Sequence, residues 1–323
     1  MKVVTVGTSE ITKTNIEQMR MAGIEIFACV SRDEQRAKEF AFKNNVPRFS
    51  NDFDDVILSN EFDFVYLGIP NSMHYEYSKK ALLAHKNVIC EKPFCANQKQ
   101  ARDLLSIALN LKLFIFENMK AYHSLAFKEL INDLELIKPI RTVNLNFTKY
   151  STKYDKFKAD LPQTIFSLKH ASGALMDMNC YNIAFATALF GLPESSIYIC
   201  NKQKDVDTSG TAVLKYKDFL VNCISCKDTN AENFIDICGE QGHIYSKCHS
   251  STLDKYEVIF NGGKIKMVNK EEHYPFVPMF KCFKDIYENS NKVMYDQLMK
   301  YTFMEMKVLD DLRKSADIVY DAD

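Results

Sequence analysis

The sequence predicts two consecutive domains, an α/β domain with a parallel sheet followed by an α+β domain with an open, mostly antiparallel sheet. The chain has 323 residues, more than a single hydrophobic core usually supports. Up to residue 118, short β-branched runs alternate with helical patterns, as in a parallel sheet flanked by helices. From about residue 140, alternating residues and tight turns indicate antiparallel strands. We therefore expect domains at residues 1–118 and 119–323.

The first domain shows five clear strand patterns and a weaker one near Arg48. The strands are predicted at Lys2–Val6, Glu25–Val30, Asp63–Ile69, Asn87–Cys90 and Lys112–Phe116. Helices are predicted between them at Thr12–Ala22, Asp33–Asn44, Ser72–Ala84 and Asn97–Asn110. This alternation is typical of a nucleotide-binding α/β domain.

The second domain is predicted from two-residue alternation and turn signals. Val143, Leu145 and Phe147 alternate with asparagines, which indicates a strand with one buried face. Further strands are predicted at Ser196–Cys200, Ala212–Tyr216, Phe219–Ser225, Phe234–Cys238, Gly242–Ser246, Tyr256–Phe260 and Lys264–Met267. Helices are predicted at Ala174–Phe190, and at about 293–315, where the last helix can pack back on the first domain.

Composition excludes several classes of protein. With 46% hydrophobic and 26% charged residues the chain is globular, and a net charge of -1 leaves no basic excess for nucleic acid. No run reaches the roughly 20 apolar residues of a membrane helix, and the N-terminus lacks a signal-peptide pattern. We therefore expect a cytoplasmic protein with reduced cysteines and with neither a nucleic-acid nor a membrane partner.

One cysteine pair has the spacing of a zinc knuckle. Cys223 and Cys226 lie at the end of a predicted strand, where an odd separation sends the two sulfur atoms to opposite faces. We therefore predict no metal site.

The turn between the first strand and the first helix is a candidate phosphate loop. Its sequence is Gly7-Thr8-Ser9-Glu10-Ile11-Thr12, where a dinucleotide-binding fold has G-x-G-x-x-G. Gly7 permits the tight turn, Ser9 can offer its N–H and hydroxyl to a phosphate, and Thr12 can cap the helix. A capped turn without a ligand is the alternative. The surrounding α/β pattern favours a Rossmann domain in which this loop binds the phosphates of the cofactor.

The end of the second strand bears on the choice of cofactor. Ser31 and Arg32 are placed to receive the 2′-phosphate of NADP(H), whereas an acidic residue there would bind the ribose hydroxyls of NAD(H). Asp33 keeps NAD(H) possible, although it can also be the N-cap of the next helix. We predict NADP(H).

Four motifs resemble one family. Cys90-Glu91-Lys92-Pro93 carries its E-K-P signature directly after a strand, and Gly7–Thr12 is similar to its phosphate loop. Ile69-Pro70-Asn71-Ser72-Met73-His74 is similar to its P-N-x-x-H turn, and the segment Ser172–Tyr181 to its G-G-A-L-x-D-x-G-x-H/Y helix. In this order, over nearly the whole chain, the sequence resembles the glucose–fructose oxidoreductase / inositol dehydrogenase / MocA family. Tyr181, where many relatives have histidine, is similar to the branch with the dimeric dihydrodiol dehydrogenases.

The resemblance implies a catalytic set of Lys92, Asp177 and Tyr181. It also implies that Pro70, Asn71, His74, Glu91 and Lys92 join the phosphate loop on the cofactor. Chemically, Pro93 holds Lys92 extended at the carboxyl edge of the sheet, and Asp177 and Tyr181 lie four residues apart on one helix face. A lysine charge favours ionisation of a phenol that exchanges the alcohol proton. The alternatives are a solvated lysine and a structural Asp/Tyr hydrogen bond.

Two departures from the family pattern affect the choice of substrate. Asn179 replaces the usual glycine, and Ala184 stands where many members have a residue that contacts sugar hydroxyls. Lys120 and His123 are either substrate contacts or packing and surface residues.

The sequence therefore predicts an NADP(H)-dependent oxidoreductase that transfers a hydride between the nicotinamide and a sugar-like or small hydroxylated or carbonyl substrate. The alternatives are a catalytically inactive, cofactor-binding sensor or regulator of the same fold, and a nucleotide-binding protein without nicotinamide chemistry. The family commonly dimerises through the sheet of the second domain, so we expect a homodimer or higher homo-oligomer.

Overall fold

The computed structural model describes all 323 residues and divides them into two compact units. The first unit comprises Met1–Asn118 and Tyr274–Thr302, and the second comprises Met119–His273 and Phe303–Asp323. The segment 274–302, which we expected in the second domain, groups with the first because its aromatic residues pack there. Phe283 stacks on Phe116 with 4.4 Å between ring centroids, and Tyr295 lies edge-on to the same ring.

The first unit contains a six-stranded parallel sheet. Its strands are β1 (Lys2–Val6), β2 (Glu25–Val30), β3 (Phe49–Ser50), β4 (Phe64–Leu67), β5 (Asn87–Cys90) and β6 (Ile115–Glu117). They lie in the order β3-β2-β1-β4-β5-β6, so the chain reverses direction across the sheet between β1 and β4. Ligands of open α/β sheets bind outside the carboxyl ends of the strands at such a reversal. The predicted parallel sheet is confirmed.

Helices connect these strands. They are α1 (Glu10–Met21), α2 (Glu34–Lys43), α3 (Phe53–Val56), α4 (Asn71–Leu83) and α5 (Gln98–Leu111). The last predicted strand began too early, because Lys112 adopts a left-handed conformation (φ 56°) and ends α5. Ile115 is therefore the first paired residue of β6.

The second unit contains an eight-stranded sheet. Its strands are β7 (Ile140–Thr148), β8 (Ser195–Gln203), β9 (Val206–Lys215), β10 (Leu220–Cys226), β11 (Phe234–Gly239), β12 (Gly242–Ser246), β13 (Lys255–Phe260) and β14 (Ile265–Asn269). The order is β14-β13-β12-β11-β7-β10-β9-β8, and β7 and β10 are the parallel pair. The sequence predicted a mostly antiparallel sheet, which is confirmed.

The inner face of this sheet is covered by helices. Helices α6 (Leu125–Asp133), α7 (Tyr154–Lys158) and α8 (Cys180–Phe190) belong to this unit, and α8 packs on β7 and β10. A π-helical turn, Leu175–Asn179, leads directly into α8. The remaining helices are α9 (Val277–Asn289), in the first unit, and α10 (Lys292–Ser315), whose residues divide between the units after Thr302. The sequence patterns did not predict α3, α6, α7 or α9.

Strand β10 shows which side chains point towards the helices. Val221 and Cys223 are fully buried, whereas Ile224 and Cys226 are half-buried on the other face. The expected separation of Cys223 from Cys226 onto opposite faces is therefore confirmed. The structure contains no group of three acidic, histidine or cysteine side chains arranged to hold a metal ion. None of its helices is both long and apolar enough to cross a lipid bilayer.

Candidate active site

The carboxyl edge of the parallel sheet gathers the predicted cofactor residues of the first unit. Gly7 follows β1, Ser31 follows β2, Pro70 lies shortly after β4, and Glu91 and Lys92 follow β5. Because all these strands are parallel, their carboxyl ends lie at one edge. The fold therefore brings these dispersed residues to one side of the unit.

Two glycines allow the phosphate loop to pack against the turn after β4. Gly7 has φ +110°, and a Cβ there would lie 2.2 Å from the carbonyl oxygen of Gly68. A Cβ on Gly68 would lie 2.3 Å from the hydroxyl of Thr12. Only glycine fits at both positions. Gly68 thus provides the close approach of helix and strand that the third glycine of the usual motif provides.

The helix-capping role predicted for Thr12 belongs to Ser9. Ser9, not Thr12, is the N-cap of α1: its hydroxyl accepts a hydrogen bond from the Thr12 N–H at 3.3 Å and lies 2.9 Å from the Thr12 hydroxyl. Thr12 has no exposed surface, so it packs under the loop and cannot contact a ligand in this conformation. Ser9, Glu10 and Ile11 are exposed around the N-terminus of α1, where a helix favours anions.

A pocket of about 310 Å³ lies beside this loop, at the ends of β1 and β2. Val6, Val30, Arg32, Asn51 and Tyr77 are among the residues that line it. The Arg32 side chain is exposed, whereas the carboxylate of Asp33 accepts the N–H of Arg36 at 2.8 Å as the N-cap of α2. The alternative role that the sequence left open for Asp33 is therefore the observed one.

Glu91 joins four elements around Lys92. Its buried carboxylate accepts hydrogen bonds from Asn15 of α1 at 3.0 Å, from the Tyr66 hydroxyl of β4 at 2.7 Å, and from Asn118. The other oxygen accepts the N–H of Lys92 at 3.3 Å. Burial raises the pKa of Glu91, and these donors oppose that shift. Glu91 therefore anchors the backbone of Lys92, with its carboxylate occupied by protein donors.

His74 lies beneath the same loops. Its Nδ1 is 3.0 Å from the carbonyl oxygen of Pro93, and its Nε2 is 2.9 Å from that of Ile69. The ring has no exposed surface, and burial lowers its pKa. The structure therefore does not place His74 as the direct cofactor contact we predicted. It links the turn after β4 to the turn after β5, and Pro70 and Asn71 lie half-exposed above it.

In the second unit, a buried carboxylate fixes the start of the helix that carries Asp177 and Tyr181. Oδ2 of Asp207 accepts the N–H of Leu175 at 2.6 Å and the hydroxyl of Tyr198 at 3.0 Å. A Cβ on Gly173 would lie 1.8 Å from Oδ1 of Asp207, so glycine is required there. Burial raises the pKa of Asp207 to about 6.

Asp177 pairs with a lysine that the sequence analysis missed. Nζ of Lys227, at the end of β10, lies 2.6 Å from Oδ2 of Asp177. The lysine side chain is 1% exposed and the aspartate side chain 31%. Lys227 lies 50 residues from Asp177 in a charged turn, so no local pattern in the sequence relates the two.

The two departures from the family pattern are both interior. Asn179 donates to the carbonyl oxygen of Cys223 at 3.0 Å, and Asn182 donates to that of Ile224 at 3.0 Å and to Asn179 at 2.8 Å. These bonds tie the helix to β10. Ala184 is 1% exposed, so its methyl group packs in the core.

Tyr181 belongs to a row of aromatic rings. Phe147 lies 5.8 Å from Tyr181 between ring centroids and stacks parallel on His249 at 4.0 Å. All three rings are partly exposed. Burial, together with the nearby charges of Lys120 and Lys149, lowers the pKa of His249 to about 4, so the ring is neutral near pH 7. His249 was missed because it lies in a short polar loop with no motif.

Of the two undecided residues, His123 is in the interior. It is 5% exposed, and burial lowers its pKa to about 3, which favours the packing role. Lys120 is half-buried close to His249. Asp177 and Tyr181 thus lie together in the second unit with Phe147, whereas Lys92 belongs to the first.

Comparison with protein families gives two matches to one family. Residues 1–118 match its oxidoreductase domain with an NAD-binding Rossmann fold, and residues 126–245 match the GFO/IDH/MocA C-terminal domain. The chain belongs to the GFO/IDH/MocA family. The predicted family, its NAD(P)-binding Rossmann domain and its oxidoreductase class are thereby confirmed.

Individual proteins agree with this membership. The scyllo-inositol 2-dehydrogenase (NADP(+)) IolU of Bacillus subtilis is 29% identical over 98% of both chains. The trans-1,2-dihydrobenzene-1,2-diol dehydrogenase of Xenopus laevis is 27% identical over 75% of this chain and 72% of its own. A 3-ketoreductase from Actinomadura kijaniata, solved with NADP and TDP-benzene, shares the fold with a TM-score of 0.82 at 18% identity, over 98% of this chain and 97% of its own.

The buried Asp207 predicts a specific dependence of stability on pH. Its folded-state pKa near 6 exceeds the ordinary value of 3.8, so its stabilising contribution is complete below pH 3.8 and is lost as pH rises through 6. We expect Asp207→Asn to remove this loss. The difference in unfolding free energy, wild type minus variant, should fall by about 3 kcal/mol between pH 4 and 7, measured by urea unfolding. The control is Asp205→Asn, which removes an exposed carboxylate. Parallel profiles for wild type and Asp207→Asn would contradict this assignment.

Proposed function

We propose that this protein is an NADP(H)-dependent dehydrogenase or reductase that interconverts a hydroxyl and a carbonyl group on a sugar-like or small hydroxylated substrate. The observation that carries the proposal is that a partly exposed Tyr181 lies four residues after Asp177, whose carboxylate is ion-paired with Lys227. Such a phenol serves as a proton donor and acceptor. The proposal extends the oxidoreductase class of the family to a defined chemistry.

The first unit fits a nicotinamide dinucleotide. The tight turn at Gly7 and the exposed N-terminus of α1 suit a pyrophosphate. The pocket lined by Val30, Arg32 and Asn51 suits the adenosine end. When bound, the nicotinamide supplies or accepts the hydride. The residues proposed to hold the cofactor are Gly7, Ser9, Glu10, Ile11, Ser31, Arg32, Pro70, Asn71 and Lys92.

We assign the steps other than hydride transfer to Lys92, Asp177 and Tyr181. Oη of Tyr181 takes the hydroxyl proton during oxidation and returns it during reduction. The ammonium group of Lys92 polarises the reacting oxygen and favours the ionised phenol. Asp177 holds the phenol in one orientation. Preorganisation of Asp177 and Tyr181 on one helix lowers the barrier because they need not rearrange during the reaction.

The surroundings of Tyr181 support a ring-shaped, hydroxylated substrate. Phe147 lies next to the phenol and stacks on His249, and apolar faces of cyclic polyols pack on such rings. The neutral His249 ring is held in place by the hydroxyls of Ser251 and Thr252, which lie 2.9 Å and 3.3 Å from Nδ1. Relatives named for scyllo-inositol and for a dihydrobenzenediol, both cyclic diols or polyols, support this class.

A cofactor-binding regulator without catalysis is the alternative function. It would not require an ionised Asp177 beside a phenol, and the retention of both residues favours the enzyme. Oxidation of NADPH or reduction of NADP⁺ in a panel that includes scyllo-inositol and trans-1,2-dihydrobenzene-1,2-diol separates the two.

The catalytic assignment predicts large losses of turnover. Lys92→Met and Tyr181→Phe should each lower kcat by about 10²–10⁴-fold, because each removes a group that acts in proton transfer. For Tyr181→Phe, which removes no proposed cofactor contact, the Kd of NADPH should stay within about threefold, a change below 1 kcal/mol. Steady-state kinetics and NADPH fluorescence titration measure both effects. Matched controls are Lys99→Met and Tyr245→Phe, which lie away from the proposed site and should retain full turnover. Near-normal turnover of both site variants would refute the assignment.

The cofactor assignment predicts a selective effect at Arg32. Arg32→Ala should weaken NADPH binding about 10–100-fold, as expected for the loss of a charged hydrogen bond of about 1.5–3 kcal/mol to the 2′-phosphate. NADH binding should change little, because NADH lacks that phosphate. Lys38→Ala, an exposed change on α2 that does not line this pocket, is the control. Tighter binding of NADH than NADPH by the wild type would contradict NADP(H) specificity.

We also propose a homodimer or higher homo-oligomer formed by the outer face of the eight-stranded sheet. This face carries the half-buried Ile224 and, towards the edges, Ile199 and Met267, which are 69% and 67% exposed. Apolar area of this extent is typical of a contact surface. Sedimentation should give about twice the chain mass for the wild type and the chain mass for Ile224→Lys. A wild type that sediments as a monomer at micromolar concentration would exclude the proposal.

A further inference from the structure

Lys227 is the most deeply buried charged group next to the proposed catalytic residues. Its Nζ bonds Oδ2 of Asp177 at 2.6 Å and the carbonyl oxygen of Ile165 at 3.0 Å, and it lies 4.5 Å from the centre of the Phe166 ring. Its backbone N–H donates to Thr208 at 2.8 Å. These contacts hold the ammonium group in one place and leave it 1% exposed.

Stability alone does not explain a lysine at this position. Removing an ammonium group from water is costly, and an apolar residue of similar size often stabilises a fold as well or better. The sheet already supplies apolar neighbours, since Val221 and Cys223 of β10 are fully buried. The lysine instead delivers a fixed positive charge to one oxygen of Asp177 while the rest of that carboxylate stays partly exposed.

Other charged and titratable groups face the same pair. The charge of Lys227 also acts on Asp207, where it lowers the pKa against the effect of burial. Tyr181 lies one turn beyond Asp177 on the helix, and Asp228, next to Lys227, is held by the hydroxyls of Thr208 and Ser209 at 2.8 and 3.0 Å. Lys227 therefore acts on two carboxylates, those of Asp177 and Asp207, and it contacts Asp177 directly.

We propose that Lys227 is a positioning residue of the active site, which keeps Asp177 ionised and directs its carboxylate so that Tyr181 is held for proton exchange. This inference rests on the proposed function. Because Lys227 occupies Oδ2, it fixes the direction in which Oδ1 points. Through this pair, the residue that follows β10 sets the orientation of the Asp177 carboxylate, 50 positions earlier in the chain.

The test compares Lys227→Met, which keeps the length of the side chain, with Lys227→Arg, which keeps the charge. Lys227→Met should lower kcat about 10–100-fold, as expected when a reacting group is misplaced by about 1 Å. The acidic limb of its pH–rate profile should move up by about one to three pH units, because the carboxylate loses its cation. Lys227→Arg should restore the profile. The Kd of NADPH should be unchanged in both, and the substrates are those of the panel above.

Three comparisons make the result decisive. In an Asp177→Asn background, Lys227→Met should have little further effect on kcat, because the two residues act as a unit. In protein labelled with [4-¹³C]aspartate, the signal that Asp177→Asn removes should titrate at higher pH in Lys227→Met than in wild type, whether or not a substrate is known. Lys266→Met breaks a lysine–aspartate pair of 2.7 Å with Asp133, away from the proposed residues, and should leave the pH profile unchanged.

The outcomes separate this inference from the proposed function. An unchanged carboxylate titration and pH profile in Lys227→Met overturn the inference, even if Tyr181→Phe is inactive. Full turnover of Tyr181→Phe overturns the proposed function, while the carboxylate titration still measures the effect of Lys227 on Asp177. If Lys227→Met does not fold, Lys227→Gln replaces it, since glutamine keeps a hydrogen-bond donor without the charge.

Discussion

The buried carboxylate of Glu91 is the interaction on which the ligand edge of the first unit depends. It receives donors from α1, from β4 and from the residue after β6, and it holds the backbone of the neighbouring lysine. A buried carboxylate is costly unless its oxygens are bonded, so these elements can pack only in the arrangement that satisfies it. The positions of the phosphate loop and of Lys92 follow from that arrangement.

The second unit uses the same principle with different residues. Asp207 accepts the N–H of Leu175 at the start of the helix that carries Asp177 and Tyr181, and Lys227 binds Asp177 itself. The asparagines Asn179 and Asn182 add bonds to the carbonyl oxygens of β10. These bonds join the helix to the sheet, so a shift of the helix along β10 would leave buried polar groups unsatisfied. The sheet therefore fixes the direction of the side chains that α8 and its π-helical turn present.

The sequence predicted those features that depend on neighbouring residues in the chain, namely strand bounds and short motifs. The bounds of β1, β2 and β5 follow from buried β-branched runs that end at turns, and the motifs around Gly7, Lys92 and Tyr181 each lie within a few consecutive residues. The remainder depends on contacts between distant segments. Segment 274–302 joins the first unit through rings that stack on Phe116, and Lys227 and His249 reach Tyr181 or its neighbours only after the sheet has formed. Nothing in the sequence next to Lys227 distinguishes it from a solvated lysine.

The contact between Gly68 and Thr12 has a consequence for anyone who would engineer this cofactor loop. A designer guided by the usual motif would restore glycines at positions 9 and 12. In this chain the first change would remove the N-cap of α1, and the second would open a void where the Thr12 side chain fills the space beside Gly68. The glycine that the usual motif places at position 12 of the helix is replaced here by Gly68, which follows β4 and faces Thr12. A search for consecutive glycines in the loop alone will therefore miss dinucleotide loops in which the glycine lies on the segment that packs against the helix.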